Sequence, residues 1–127
     1  FTNLHSSPAN FLSDNVHFCK SALARFTQHD FIKRVEQNGI AYHEKTLGQL
    51  FCDDSARQII DMLVQDMTRA GAALWLETSI DTVSHHDGIY QVTTSRGVIA
   101  APALVVATGG LSIPKMGATG IGYDIAT

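Results

Sequence analysis

Apolar residues recur with a helical period through the first half of the 127-residue chain and with a strand period through much of the second. Between residues 7 and 25, Phe11, Leu12, Phe18 and Leu23 recur irregularly, followed by Phe26. Ser7 can cap and Pro8 suits a first helical position, while Asn15 interrupts the run, so two short helices are expected. Thr27 caps a clearer helix, with Asp30 in its first turn and Phe31, Ile32 and Val35 on one face. Asn38-Gly39 ends it, the glycine supplying a left-handed residue. Residues 40–43 and 50–52 read as short strands around a polar turn at 44–48. A third helix starts at Ser55-Ala56-Arg57-Gln58, a capping-box pattern, with Asp53 and Asp54 near the positive end of its dipole. Ala56, Ile59, Ile60, Leu63, Val64 and Met67 form one expected buried stripe.

Gly71 closes that helix, and residues 72–76, which include Trp75, read as a short apolar strand. Asp87-Gly88 and Arg96-Gly97 are turn signals separating runs at 80–84, 89–94 and 98–100, and Asp-Gly suits a type I′ hairpin. A three-stranded antiparallel meander is therefore predicted. Pro102 breaks the chain, and residues 103–107 follow as a continuous apolar strand of the kind buried on both faces of a parallel sheet. Helices alternating with such strands make the chain α/β.

Composition narrows the class. With 45% hydrophobic and 17% charged residues, the chain resembles one soluble domain or a piece of a larger one. It opens on Phe1 without a methionine and stops at Thr127 inside a new helical pattern, as a fragment would. Nine Lys and Arg against twelve Asp and Glu give a net charge of -3. The signs are interspersed along the sequence, so a small-molecule substrate and no nucleic-acid partner are expected. No apolar run approaches the roughly 20 residues of a membrane helix and no leader opens the chain, which points to the cytoplasm and no membrane partner. Cys19 and Cys52 form no CxxC unit and read as reduced, largely buried thiols. Of six histidines only His85 and His86 adjoin, and neighbours on a strand face opposite ways, so no metal site is expected.

The chemistry lies where residues 103–107 run into Thr108-Gly109-Gly110. A buried parallel strand ending in this tripeptide places backbone N–H groups at the carboxyl edge of a sheet, where open α/β folds bind ligands. Glycine lets a ligand approach the main chain closely. The tripeptide alone is equally a tight turn out of a core strand. Gly117 to Gly122 imitates a nucleotide fingerprint, but Pro114-Lys115 stands where its strand should be. Lys115 and Tyr123 read as solvated residues, and Asp53-Asp54 as part of a helix start.

The order helix, strand, meander, then Ala107-Thr108-Gly109-Gly110-Leu111-Ser112-Ile113-Pro114 resembles the FAD-binding domain of glutathione-reductase-like flavoproteins. Phe1-Thr2-Asn3, Gln49-Leu50-Phe51-Cys52 and the stretch from Ala107 to Tyr123 are similar to the YhiN and BaiN family of NAD(P)/FAD-dependent oxidoreductases, also called aminoacetone-oxidase-like, across all 127 residues. The resemblance implies a partial Rossmann-like FAD-binding domain over residues 1–127, mainly helical over 1–52 and carrying helix, strand, meander and strand end over 53–127. It implies FAD as cofactor, with Thr2 and Asn3 along the flavin, Ile80 offering its backbone to the adenine, and Ala107, Thr108, Gly109 and Gly110 touching the dinucleotide. NAD(P)H is the implied reductant. The family's GxGxxG segment and its closing carboxy-terminal segment are absent here, so the 127-residue chain is expected to be poorly stable and to bind FAD weakly or not at all. No residue stands out as catalytic. A non-catalytic dinucleotide-binding module and a cofactor-free α/β interaction domain stay open beside the oxidoreductase.

Overall fold

The computed structural model of the protein describes residues 1–109 and 120–126. The chain forms two compact units, Phe1–Leu74 and Trp75–Thr127.

In the first unit a 3-10 turn at Pro8–Asn10 precedes helices α1 (Lys20–Arg25) and α2 (Gln28–Gln37), so the irregular run around Asn15 does give two short helical pieces. Thr27 starts α2 as expected. Its hydroxyl accepts from the Asp30 amide at 3.2 Å, while the Asp30 carboxylate accepts from the Thr27 amide at 2.8 Å and from the Thr27 hydroxyl at 2.7 Å. Such a cap stabilises a helix by about 1 kcal/mol. The amide bond first, and then the hydroxyl bond, hold the Asp30 carboxyl below the usual carboxylate range. Gly39, at φ +67°, lets the chain leave α2 and return.

Strand β1 (Thr2–Asn3) and strands β2 (Tyr42–Glu44) and β3 (Gln49–Cys52) make an antiparallel sheet in the order β1-β3-β2. Helix α3 (Arg57–Arg69) follows. Val35, Ile40 and Met62 are the centre of the core, with Phe1, Phe31, Tyr42, Cys52 and Ile59 packed around them. Val35 is wholly buried, which contributes on the order of 2 kcal/mol. Arg34 Nε and Nη2 donate to Asp66 Oδ2 at 3.1 and 2.5 Å, joining α2 to α3.

Helix α3 departs from its expected form at two points. It begins at Arg57 behind Ala56, and the Ser55 hydroxyl accepts from the Arg57 amide at 3.1 Å, while Gln58 Oε1 is left without a partner among the described residues, so the reciprocal half of the expected capping box is not closed. Its core face is built on Ile59 and Met62, three residues apart, whereas Ile60, Leu63 and Val64 remain exposed. The apolar stripe is broader than the core of this unit can cover.

The second unit holds the meander as predicted, with strands β4 (Ile80–His86), β5 (Ile89–Thr94) and β6 (Gly97–Ala101) paired antiparallel in that order. Asp87 and Gly88 have φ of 51° and 77°, the positive pair that a type I′ turn needs. Thr94 closes the second turn by accepting from the Arg96 amide and donating to the Gly97 carbonyl.

The other two expected strands are not formed. Residues 72–76 and 103–107 run without ladder pairing, and Leu76 and Val105 stand 70% and 84% exposed. A parallel strand must be hydrogen-bonded by one distant in sequence, and no such partner exists among the described residues. Cys19 and Cys52 are free thiols, each partly exposed rather than buried. Among the described residues no three His, Cys, Asp or Glu are grouped to hold a metal, and no helix is long and apolar enough to cross a membrane.

Candidate functional site

Residues expected to bind the cofactor fall in both units. In the first, Thr2 and Asn3 form β1, opposite Leu50 and Gln49 of β3. The Asn3 side chain donates from Nδ2 to the Leu47 carbonyl at 2.9 Å and accepts the His5 amide at 2.8 Å. Both ends of the amide are thus used to hold the 4–6 turn against the 45–48 loop. Gly48 passes close by: a Cβ there would lie 2.6 Å from the His5 ring, and its φ of +75° favours glycine as well.

In the second unit Ile80 opens β4, opposite Thr94 of β5. The register slips between Ile80 and Thr82, leaving Asp81 as a bulge, a feature that bends a strand and re-aims its side chains. Because the sheet order is β4-β5-β6, the outer edge of β4 has no strand beside it among the described residues. Along residues 80–83 it borders a groove of about 650 Å³, closed on the other side by Gly120, Ile121, Asp124 and Ile125 of the segment that forms helix α4 (Ile121–Ala126). The volume lies within the range of cofactor pockets. A free strand edge can donate and accept main-chain hydrogen bonds to a planar heterocycle, and Ile80 and Ile121 supply apolar surface for its faces.

Ala107, Thr108 and Gly109 are exposed, and Gly109 adopts φ +72°. Gly110 lies outside the described residues. Thr108 is nevertheless placed: a Cβ on Gly122 of α4 would overlap the Thr108 hydroxyl and come within 3.6 Å of Val106 Cγ1. Glycine at 122 lets α4 approach the end of the 103–109 segment. Ile80 and Thr108 therefore both adjoin α4, one across the groove and the other at Gly122. Sequence reasoning noted this glycine-rich stretch but did not single out Gly122, for which the Gly120-Ile121-Gly122 spacing was the available signal. Neither the bulge at Asp81 nor the free edge of β4 has a signal in the sequence, since register is decided by pairing.

A family model described as HI0933-like protein Rossmann domain matches residues 1–127. The chain belongs to that family. The resemblance read from residues 1–3, 49–52 and 107–123 is borne out, and with it the α/β, Rossmann-like fold class. The ribosomal RNA dihydrouridine synthase of Escherichia coli is 51% identical over 126 residues, an alignment covering 99% of this chain and 32% of that protein. The ribosomal RNA dihydrouridine synthase of Haemophilus influenzae is 47% identical over 132 aligned residues, with the same shares of 99% and 32%. The chain thus spans about a third of the curated relatives it matches. Both relatives are named for a ribosomal RNA substrate, and this overturns the expectation of a small-molecule substrate with no nucleic-acid partner. The net charge behind that expectation is an average over the whole chain and is blind to local segregation of sign.

Proposed function

We propose that this chain is part of the FAD-binding domain of a cytoplasmic, flavin-dependent enzyme that reduces uridine in ribosomal RNA to dihydrouridine. The reading is carried by the 51% and 47% identity to two ribosomal RNA dihydrouridine synthases across 99% of the chain. Residues 1–127 constitute one partial domain, completed by the rest of the protein. FAD in its two-electron-reduced form, held by these residues, would supply the hydride that with a proton saturates the C5–C6 double bond of the uracil ring, leaving oxidised FAD for NAD(P)H to reduce again.

The contribution of this segment is binding and orientation. The free edge of β4 at Ile80 offers main-chain groups to the adenine, in the groove bordered by Ile121. Ala107, Thr108, Gly109 and Gly110 bring main chain close to the dinucleotide, with Gly109 in the left-handed region where a side chain would be strained. Thr2 and Asn3 lie along the flavin, and the bonds from Asn3 to Leu47 and His5 keep β1 and its turn in one geometry.

An absorbance spectrum of the intact protein tests the reading. Bands near about 370 and 450 nm that bleach anaerobically on addition of NADH or NADPH are expected. Deproteinised ribosomal RNA should then restore them while dihydrouridine accumulates in the RNA, as detected by mass spectrometry of its nucleosides. A colourless protein that takes up no FAD would overturn the flavin assignment, and a bleached flavin indifferent to RNA would overturn the substrate.

A further inference from the structure

Charge in this protein is segregated along the chain. Residues 17–34 contain four Lys and Arg (Lys20, Arg25, Lys33, Arg34) and a single acid, Asp30, a net charge of +3, while the remaining residues hold five bases and eleven acids. His17 and His29 lie in the same segment. Lys20, Arg25 and Lys33 are exposed and make no ion pair among the described residues. Lys33 is partly offset by Asp30, whose carboxyl it helps to keep ionised, and the remaining excess of positive charge in the segment favours a polyanion.

The same segment presents an aromatic ring. Phe26 ends α1 and is 50% exposed. Its inner edge rests on Phe31 with ring centroids 6.4 Å apart, and Phe31 lies 6.1 Å from Phe1, which packs on the core. The ring is therefore fixed in place while half of it faces solvent. Beside it opens a polar cleft of about 550 Å³ lined by Arg34, Gln37, Asn38 and Arg69, together with Asp30 and Asp66. Asp66 pairs with both arginines, at 2.5 Å to Arg34 and 3.6 Å to Arg69.

We infer that the α1–α2 face binds single-stranded RNA of the substrate, with a base stacked on Phe26 and phosphates on Arg25 and Lys33. A half-exposed aromatic in a segment that also carries exposed cations suits single-stranded nucleic acid: every base has a face to stack and every nucleotide a phosphate to neutralise. The inference rests on the ribosomal RNA reading above and adds to it the surface that holds the RNA.

The test uses the full-length, flavin-loaded protein and deproteinised ribosomal RNA in filter binding across a salt series. Arg25→Glu combined with Lys33→Glu should weaken binding at least about tenfold at low salt and flatten the log–log salt slope by about 1.4, which is two phosphate contacts on a single strand. Phe26→Ala should weaken binding about tenfold with the slope unchanged, and Phe26→Trp should retain it. All three proteins should keep the wild-type flavin spectrum; the charge variant and Phe26→Trp should also keep the wild-type melting temperature, whereas Phe26→Ala, which gives up the contact with Phe31, should lower it slightly as well as weakening RNA binding. If the wild type binds the RNA and the variants bind it equally well, this surface is not the interface, although the RNA reading stands. If Phe26→Ala instead lowers the melting temperature without touching RNA affinity, the ring is an internal packing element and the inference fails. A wild-type protein that neither binds the RNA nor forms dihydrouridine would bring down both the inference and the reading beneath it.

Discussion

The meander and the 103–107 segment are both apolar runs that read as strands, yet only the meander becomes a sheet. Its strands are joined by two tight turns, so each meets its partner within a few residues, and the Asp87-Gly88 turn has the positive φ pair that its twist demands. Residues 103–107 have no neighbour in sequence to pair with. Val105 and Val106 stand 84% and 46% exposed, and Leu74, Trp75 and Leu76 in the other unpaired run are 48%, 40% and 70% exposed. Local hairpins supply their own hydrogen-bond partners; parallel strands borrow theirs from far along the chain. The exposed Ile60, Leu63 and Val64 of α3 are a helical counterpart, an apolar face without cover among the described residues.

Placing a charge on the unpaired run sharpens the contrast most. Val105→Asp should change the stability of the 127-residue chain by less than about 0.5 kcal/mol, as an exposed substitution does. In the full-length protein, where the strand is expected to be paired and buried, the same change should cost about 3 kcal/mol or prevent folding. Equal urea midpoint shifts in the two proteins would break the comparison.

Next in size is the meander's own turn. Gly88→Val forces a β-branched residue to φ +77° and should destabilise by about 2 kcal/mol, read from a thermal melt. The loss should be alike in the short chain and the full-length protein, because the hairpin is closed locally in both. A loss seen only at full length would mean that the meander, too, depends on distant partners.

A smaller effect is expected where the unpaired segment meets α4. Gly122→Ala puts a Cβ against the Thr108 hydroxyl and should cost about 1 kcal/mol. Thr108→Ala should recover most of that cost in the double variant, as residues in direct contact do not act additively. Additive losses would show that α4 does not hold the strand end.

The smallest effect concerns the locally determined α2 cap. The Thr27 bonds depress the Asp30 carboxyl in the folded protein, so as pH falls the unfolded chain takes up its proton first. The contribution of the cap is complete at neutral pH and is lost as pH drops through the carboxylate range, below about pH 4. Asp30→Asn should therefore show a shallower fall in urea midpoint between about pH 5 and pH 3 than the wild type. An identical fall would remove Asp30 from the acid response.

Features with a local physical cause were legible from the residues alone. Thr27 and Asp30 cap α2 through four bonded atoms within four residues, Gly39 and Gly88 take up the left-handed turns, and the alternation in residues 80–100 needs only its own hairpins. The resemblance carried by Thr2-Asn3 and Ala107-Thr108-Gly109 reached the right family for the same reason, since a motif is a local string. Tertiary structure decided the rest: which apolar face of α3 meets the core, whether residues 72–76 and 103–107 find partners, the bulge at Asp81, and the approach of Gly122 to Thr108. Each of these depends on surfaces separated by many residues, and a period read along the chain says that a surface is apolar without saying what will cover it. Charge obeys the same division, for the sequence contained the basic run at residues 17–34 all along, but only the fold leaves Lys20, Arg25 and Lys33 exposed and Phe26 half open.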